Sequence, residues 1–223
     1  MVDSKQQRLN MVESQVRPSD VTDRRIVRAM LEVPREAFLP PDLRPLAYMD
    51  EAVPVRRGGH GAEARYLLSP RVFAKLVQLA DIAEGAAVLD VGCATGYSTA
   101  VLARLAGRVV AVESDAALAA SAAATLRDQG IANAAVAPGP LPAGAPGQGP
   151  FAAILLEGAV PEVPQSLLDQ LADGGRLVGV IAQGGVGRAQ VYQRTGKTFD
   201  ARAAFDADAP PLPGFAREAG FVF

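Results

Sequence analysis

The stretch AAVLDVGCATGYSTAVLARLAGRVVAVESD, Ala86 to Asp115, decides the fold. An apolar, β-branched run, Ala87–Val91, breaks at Gly92-Cys93-Ala94-Thr95-Gly96. It resumes as a helix-compatible segment, Tyr97–Ala106, and a second apolar run, Val109–Val112, ends on Glu113. Strand, glycine turn, helix, strand and acid in that order predict a parallel βαβ unit with a nucleotide-like ligand at its turn. Gly92 and Gly96 can adopt backbone angles closed to other residues, and the free N–H groups at the start of the next helix face whatever lies there. An acid at the end of the second strand is placed to accept hydrogen bonds from ribose hydroxyls. The plainer alternative is an ordinary βαβ unit with a glycine turn.

The departures from a dinucleotide fingerprint narrow the ligand. G-x-G-x-x-G packs a pyrophosphate against the helix, whereas here Ala94 takes the middle position and Tyr97-Ser98-Thr99 follow. Asp90 stands directly before the turn, where a carboxylate repels pyrophosphate and suits an ammonium group. Asp-x-Gly-x-x-x-Gly followed by a strand ending in Glu resembles motif I and the ribose-binding acid of the class I S-adenosylmethionine-dependent methyltransferases. NAD is the second choice.

Composition sets the frame around this unit. With 223 residues, 49% hydrophobic and 21% charged, the chain is long enough for one large domain with a substantial core. A net charge of −2 offers no footprint for nucleic acid. The single cysteine, Cys93, has no internal disulfide partner, and with one histidine, His60, it cannot build a zinc site. No apolar run is long enough to span a bilayer, and the polar start MVDSKQQRLN does not resemble a secretory signal. A cytoplasmic protein is the simplest expectation; oligomeric state carries no signal.

Residues 1–33 read as helices broken by one turn, with Thr22 or Asp20 expected to cap an Asp23–Leu31 segment striped by Ile26, Val27, Met30 and Leu31. Prolines 34, 40, 41 and 45 predict an ordered loop pinned by Phe38 and Leu39. Tyr48–Leu68, which carries Arg56, Arg57, His60 and Arg65, reads as an irregular glycine-bearing connection or a lid. Ser69-Pro70 signals a helix start, and Arg71–Leu79 follows. Beyond the central unit come an alanine-rich helix over Asp115–Gln129, a strand at Ala134–Ala137 and a Pro/Gly loop over 138–150. Next are expected a strand at Phe151–Leu156, a helix over Val163–Leu171 stopped at Asp173-Gly174-Gly175, and a strand at Arg176–Ile181. A turn at 184–187, a hairpin pair, Ala189–Arg194 with Thr198–Ala204, and an apolar tip, Phe221-Val222-Phe223, complete the chain. This is an α/β, doubly wound, Rossmann-like sheet, mostly parallel with a C-terminal antiparallel pair. Over a single unit of 1–223, the expected parts are a helical cap (1–45), a substrate or lid loop (46–69), a cofactor core (70–190) and C-terminal strands (191–223).

Three segments resemble the protein-L-isoaspartate O-methyltransferase family: VTDRRIVRAMLEVPREAFLP (21–40) with LAYMDEAVPV (46–55); VLDVGCATGYSTAVLA (88–103); and FAAILLEGAVPEVPQSLLDQLADGGRLV (151–178). The first is far more specific than the second, which all class I methyltransferases share in some form. The resemblance implies methyl transfer from S-adenosylmethionine to the carboxylate of an isoaspartyl residue in a damaged protein or peptide. The ester then collapses to a succinimide that can reopen to aspartate. It also implies Asp90, Gly92, Ala94 and Gly96 around the methionine part of the cofactor, Glu113 on its ribose, and Gly139 beside its base.

Two positions depart from the family pattern. Where the family has G-Q-T-I-S-Q-P this chain has the longer HGAEARYLLSP, so that alignment on Pro70 puts Leu68 at the family serine and leaves Ser69 as the candidate catalytic hydroxyl, or as a helix cap. Where the family has Gly-Asp-Gly, with the acid accepting from the adenine amino group, this chain has Gly139-Pro140-Leu141. The loss of one such bond costs about 1–3 kcal/mol. The resemblance therefore implies an isoaspartyl methyltransferase in which Arg56, Arg57 or Arg65 pairs with the substrate carboxylate. The alternatives are a divergent binding or regulatory module on the same fold and a methyltransferase retargeted to another acceptor.

Overall fold

The computed structural model describes residues 3–59, 63–183 and 186–215. His60, the Gly184-Gly185 part of the expected turn and the Phe221-Val222-Phe223 tip lie outside them. The N-terminal segment runs as α1 (Ser4–Met11), a π-helical turn (Val12–Val16), a 3-10 turn (Arg17–Ser19) and α2 (Arg24–Glu32). The cap of α2 is Asp23, whose carboxylate accepts from the Arg25 N–H at 2.8 Å, rather than Thr22 or Asp20. Asp20 instead takes a left-handed turn, and the Thr22 N–H donates to the side chain of Gln78. Phe38 and Leu39 are buried as expected, within a loop that carries two short 3-10 turns, Arg35–Phe38 and Arg44–Leu46.

The 48–68 region is more regular than its glycines suggest. β1 (Val53–Arg56) and β2 (Arg65–Leu67) pair antiparallel, burying Val53, Val55 and Leu67 on one face. Pairs this short leave too little alternation to read in sequence. Ser69 then caps α3 (Pro70–Ala80), with Pro70 at its first position.

The core alternates as expected: β3 (Ala87–Val91), α4 (Tyr97–Ala103), β4 (Arg108–Glu113), α5 (Ala116–Asp128), β5 (Ala134–Pro138), β6 (Phe151–Val160), α6 (Gln165–Leu168) and β7 (Leu171–Gln183). β8 (Val186–Thr195) and β9 (Thr198–Asp206) follow. The seven-stranded sheet has the order β5-β4-β3-β6-β7-β8-β9, parallel from β5 to β7 and antiparallel from β7 to β9. The helix expected over Val163–Leu171 shrinks to the four residues of α6, because Leu171 already pairs with Phe151 as strand. Gly174 and Gly175 serve a bend inside β7 rather than a helix end. A Cβ on Gly175 would stand 2.9 Å from the Ala172 and Phe151 carbonyl oxygens.

Burial follows the strand period of two. Val88, Val109, Ala153 and Leu155 face a core shared with α2, α3 and α4, while Leu89, Val91, Val110, Val112, Ile154 and Leu156 face a second core. Leu141 from the Pro/Gly loop, Leu167 of α6 and Leu212 close this second side, so the loop contributes a core residue despite its composition. β3 lies between β4 and β6: the chain runs outward on one side through β4 and β5, then crosses back to build the other side from β6 onward. That makes its C-terminal end the switch point where open α/β sheets bind ligands.

Candidate active site

The glycine turn after β3 is bent as its residues require: Gly92 at φ 85°, Ala94 at φ 49° and Gly96 at φ 94°. Glycine takes such angles without strain at 92 and 96, Ala94 is held in the left-handed region despite its Cβ, and at Gly96 an added Cβ would also come 3.2 Å from Ala122 Cβ of α5. The loop carrying VPREAF docks onto this turn, because Thr95 Oγ1 donates to the Phe38 carbonyl at 2.6 Å. Phe38 and Phe73 both pack against the Tyr97 ring at the start of α4.

Asp90 is buried under the turn. Its Oδ2 accepts from Ser98 Oγ at 2.7 Å and Thr99 Oγ1 at 2.6 Å, whereas its Oδ1 has no partner. Burial pushes its carboxyl up to about 6 against the pull of those two hydroxyls, with Glu113 adding to the rise and Arg65 opposing it. Glu157, one residue beyond the expected end of its strand, faces the same space, and burial drives its carboxyl well above the ordinary range.

Glu113, fully buried at the end of β4, is the most heavily bonded group. Its Oε2 accepts from the Ala94 N–H at 2.8 Å and from Arg65 Nη2 at 2.7 Å; its Oε1 accepts from the Asp115 N–H at 3.1 Å and from Ser114 Oγ at 3.3 Å. Arg65 Nη2 also donates to the Gly92 carbonyl at 2.7 Å.

Arg35, from the VPREAF phrase, is buried beside them over the Tyr97 ring. It donates to the Ala47 and Leu68 carbonyls and leaves Nη1 unpartnered. Burial lowers its pKa, opposed by the nearby Tyr97. The space enclosed by Arg35, Tyr66, Phe73, Gly92, Ser98 and Glu157 is about 10 Å3, room for about one water molecule.

Two larger clefts flank the turn. One, of about 530 Å3, is lined by Gly58, Glu63, Tyr66, Ala159, Pro161 and Leu212. The other, of about 540 Å3, runs past Ser114, Pro140, Leu141, Pro142 and Pro213. Glu63, Pro213 and Gly214 border both.

The structure thus brings together Asp90, Gly92, Ala94, Gly96 and Glu113. Gly139 sits just outside, its N–H on the Glu113 carbonyl at 3.0 Å, and Pro140 lines the second cleft. The Ser69 hydroxyl accepts from the Val72 N–H, and Leu68 rather than Ser69 borders the small enclosed space. Of the arginines expected to meet a substrate carboxylate, Arg56 pairs with Asp115, Arg65 with Glu113, and Arg57 is exposed. Cys93 is a buried packing residue whose thiol burial holds far from ionisation. Arg35 and Glu157 were given no role by sequence reading. Arg35 stands inside the family-specific phrase, and Glu157 is an acid within an otherwise apolar strand.

An acid-tipped βαβ turn at the switch point of such a sheet is common to dinucleotide-binding and S-adenosylmethionine-binding folds. A solved structure titled protein-L-isoaspartate O-methyltransferase superposes on 96% of this chain and 67% of its own, with a TM-score of 0.81 at 24% identity. One from Plasmodium falciparum, described as a beta-aspartate methyltransferase in complex with S-adenosyl-L-homocysteine, covers 96% of this chain and all of its own, with a TM-score of 0.77 at 20% identity. Residues 6–209 match the family model for protein-L-isoaspartate(D-aspartate) O-methyltransferase. Protein-L-isoaspartate O-methyltransferase 1 of Rhodopseudomonas palustris is 42% identical over 172 residues, 77% of this chain and 68% of the relative. The Herpetosiphon aurantiacus protein of that name is 35% identical over 209 residues, 94% and 91% of the two chains. The chain belongs to the protein-L-isoaspartate O-methyltransferase family.

Proposed function

We propose that this chain is an S-adenosylmethionine-dependent carboxyl methyltransferase acting on L-isoaspartyl residues of damaged proteins or peptides. The observation that carries the reading is the coincidence of the family match, over 6–209, with a buried Glu113 at the tip of β4 beside the glycine turn.

The donor set fits the cofactor. Glu113 is the acceptor for ribose hydroxyls, the unpartnered Asp90 Oδ1 is an acceptor for an ammonium group, and Gly92 lets a ligand approach the main chain. Arg65 Nη2 and a Leu212 δ-methyl lie 3.1 and 2.6 Å from where a Gly92 Cβ would stand, so both border the place a ligand takes. Ser114 and the apolar wall of Pro140, Leu141 and Pro142 would flank its base by packing alone, since Pro140 supplies neither acid nor N–H. The group supplies an electrophilic methyl on a sulfonium.

The residues of this chain orient the acceptor and exclude water. An isoaspartyl carboxylate is ionised at neutral pH, so no strong base is needed, and positioning supplies most of the rate. The cleft beside Tyr66 and Ala159 is the proposed seat of the peptide, with the 46–69 segment as its wall and the exposed Arg57 as the guanidinium nearest in sequence. Ser69 acts by capping α3, which fixes Leu68 against the site. We read 1–223 as one working unit and place it in the cytoplasm, which suits a lone buried cysteine. Among the described residues no helix is long and apolar enough to cross a membrane.

The test is calorimetric titration of S-adenosylmethionine and S-adenosylhomocysteine into the wild-type protein and Glu113→Ala. Binding by the wild type, weakened about ten-fold or more in the variant, supports the assignment. Equal binding by both removes Glu113 from it, and binding by neither overturns the cofactor.

A further inference from the structure

We infer that Arg65 is an internal occupant of the ligand site: its guanidinium holds the Glu113 oxygen and the Gly92 carbonyl that a ligand takes, and binding proceeds by exchange of Arg65 for the ligand. The inference rests on the reading of Glu113 as a cofactor contact.

The geometry is that of a bound ligand rather than of a surface ion pair. Both partners are buried, the Arg65 side chain 2% exposed and that of Glu113 not at all. One nitrogen, Nη2, makes both bonds at 2.7 Å, to a side chain of β4 and to the backbone of the glycine turn, so it bridges the two elements a nucleoside must bridge. It also lies 3.1 Å from where a Cβ on Gly92 would be, sharing the space that the missing side chain leaves with a Leu212 δ-methyl at 2.6 Å.

The occupancy is incomplete, which makes it reversible. Arg65 Nε is buried with no partner, whereas a guanidinium has five N–H donors to satisfy. The cleft of about 530 Å3 is lined by Ala64 and Tyr66, the chain neighbours of Arg65, so the exchange carries the Arg65 side chain from the buried face it shares with Leu67 toward the face its neighbours line.

Charge explains why a cationic side chain stands there. Asp90, Glu113 and Glu157 converge on the turn, and among the described residues the buried cations opposing them are Arg35 and Arg65. When Arg65 leaves, Glu113 loses its cationic partner, and a ligand bearing a positive centre offsets part of that loss. A site held shut by its own side chain binds with an apparent affinity reduced by the fraction of molecules in which that side chain is out.

The experiment compares wild type, Arg65→Gly, Arg65→Met and Arg65→Lys by calorimetry with S-adenosylmethionine and S-adenosylhomocysteine, and by thermal melting with methylguanidinium chloride. Removal of the occupant is expected to lower both dissociation constants by a common factor of about ten in Arg65→Gly and Arg65→Met, with Arg65→Lys close to wild type. Methylguanidinium is expected to raise the melting temperature of Arg65→Gly, leave the wild type unmoved, and compete with the cofactor in the variant alone. Unchanged or weaker binding by folded Arg65→Gly and Arg65→Met, when the wild type binds, overturns the occupancy and leaves the proposed function standing. Absence of binding by all four proteins overturns the cofactor reading and the occupancy with it. If methylguanidinium moves wild type and Arg65→Gly equally, the pocket is not a guanidinium site and the inference fails.

Discussion

Thr99 Oγ1 donates to Asp90 Oδ2 at 2.6 Å, and Ser98 adds a second donor to the same oxygen, so every hydrogen bond to this carboxyl falls on one side. Oδ1 is left buried and unpartnered. An unfolded aspartate ionises near 3.8, the folded one near 6. Between those values the folded state holds the extra proton, so stability from this group is greatest below pH 4 and is lost as pH rises through 6. The expected decline is on the order of 2 kcal/mol, and Asp90→Asn should flatten it. Urea denaturation of both proteins at pH 4.5 and 7 checks this; an equal decline in the variant would assign the pH dependence elsewhere.

Gly96→Ala combines a positive φ with a Cβ 3.2 Å from that of the buried Ala122 on α5. We expect a loss of about 1–3 kcal/mol in denaturation experiments. Gly130, also at positive φ but with nothing within 4 Å, should lose only about 1 kcal/mol on the same change.

Asp115 caps α5, its carboxylate accepting from the Leu118 N–H at 2.9 Å, and pairs with Arg56 across from β1. The cap chiefly, and then Arg56, hold its carboxyl below the usual range. Its stabilisation is therefore present above about pH 4 and lost as pH falls through the lowered value. Asp115→Ala should cost about 1–2 kcal/mol at pH 7 and less at pH 3. If Arg56→Ala alone costs as much, the ion pair rather than the cap carries the effect.

Arg35→Met should be expensive although no ion pair is broken. The Ala47 and Leu68 carbonyls each lose a charged donor, at 2.7 and 2.8 Å, in a fully buried setting. We expect a loss of about 2–4 kcal/mol, with the N-terminal helices released first in hydrogen exchange.

The sequence made the central unit legible because its signals are local: the apolar, β-branched run Ala87–Val91, glycines 92 and 96, and an acid ending a buried strand. What it hid was decided by tertiary partners. Val163–Leu171 has helical composition, but Leu171 is claimed by Phe151 in the sheet. Asp20, Thr22 and Asp23 are all good caps, and Gln78, remote in sequence, takes Thr22. The 48–68 glycines masked a hairpin that is anchored by the packing of Val53, Val55 and Leu67 and by ion pairs from Arg56 and Arg65 to residues remote in sequence. In the site, Asp90, the glycines and Glu113 were readable from spacing. Arg35 and Glu157 were not, since a buried charge gives no local sign of what it faces. Arg65 was read as a contact for substrate, yet it lies on Glu113.

The measurement that tests the account most directly is transfer of label from methyl-labelled S-adenosylmethionine to a peptide containing a single isoaspartyl residue, beside the same peptide with ordinary aspartate. Labelled ester on the isoaspartyl peptide, base-labile and absent from the aspartyl control, is the predicted result. Cofactor binding with no label on either peptide, or equal label on both, would contradict the account.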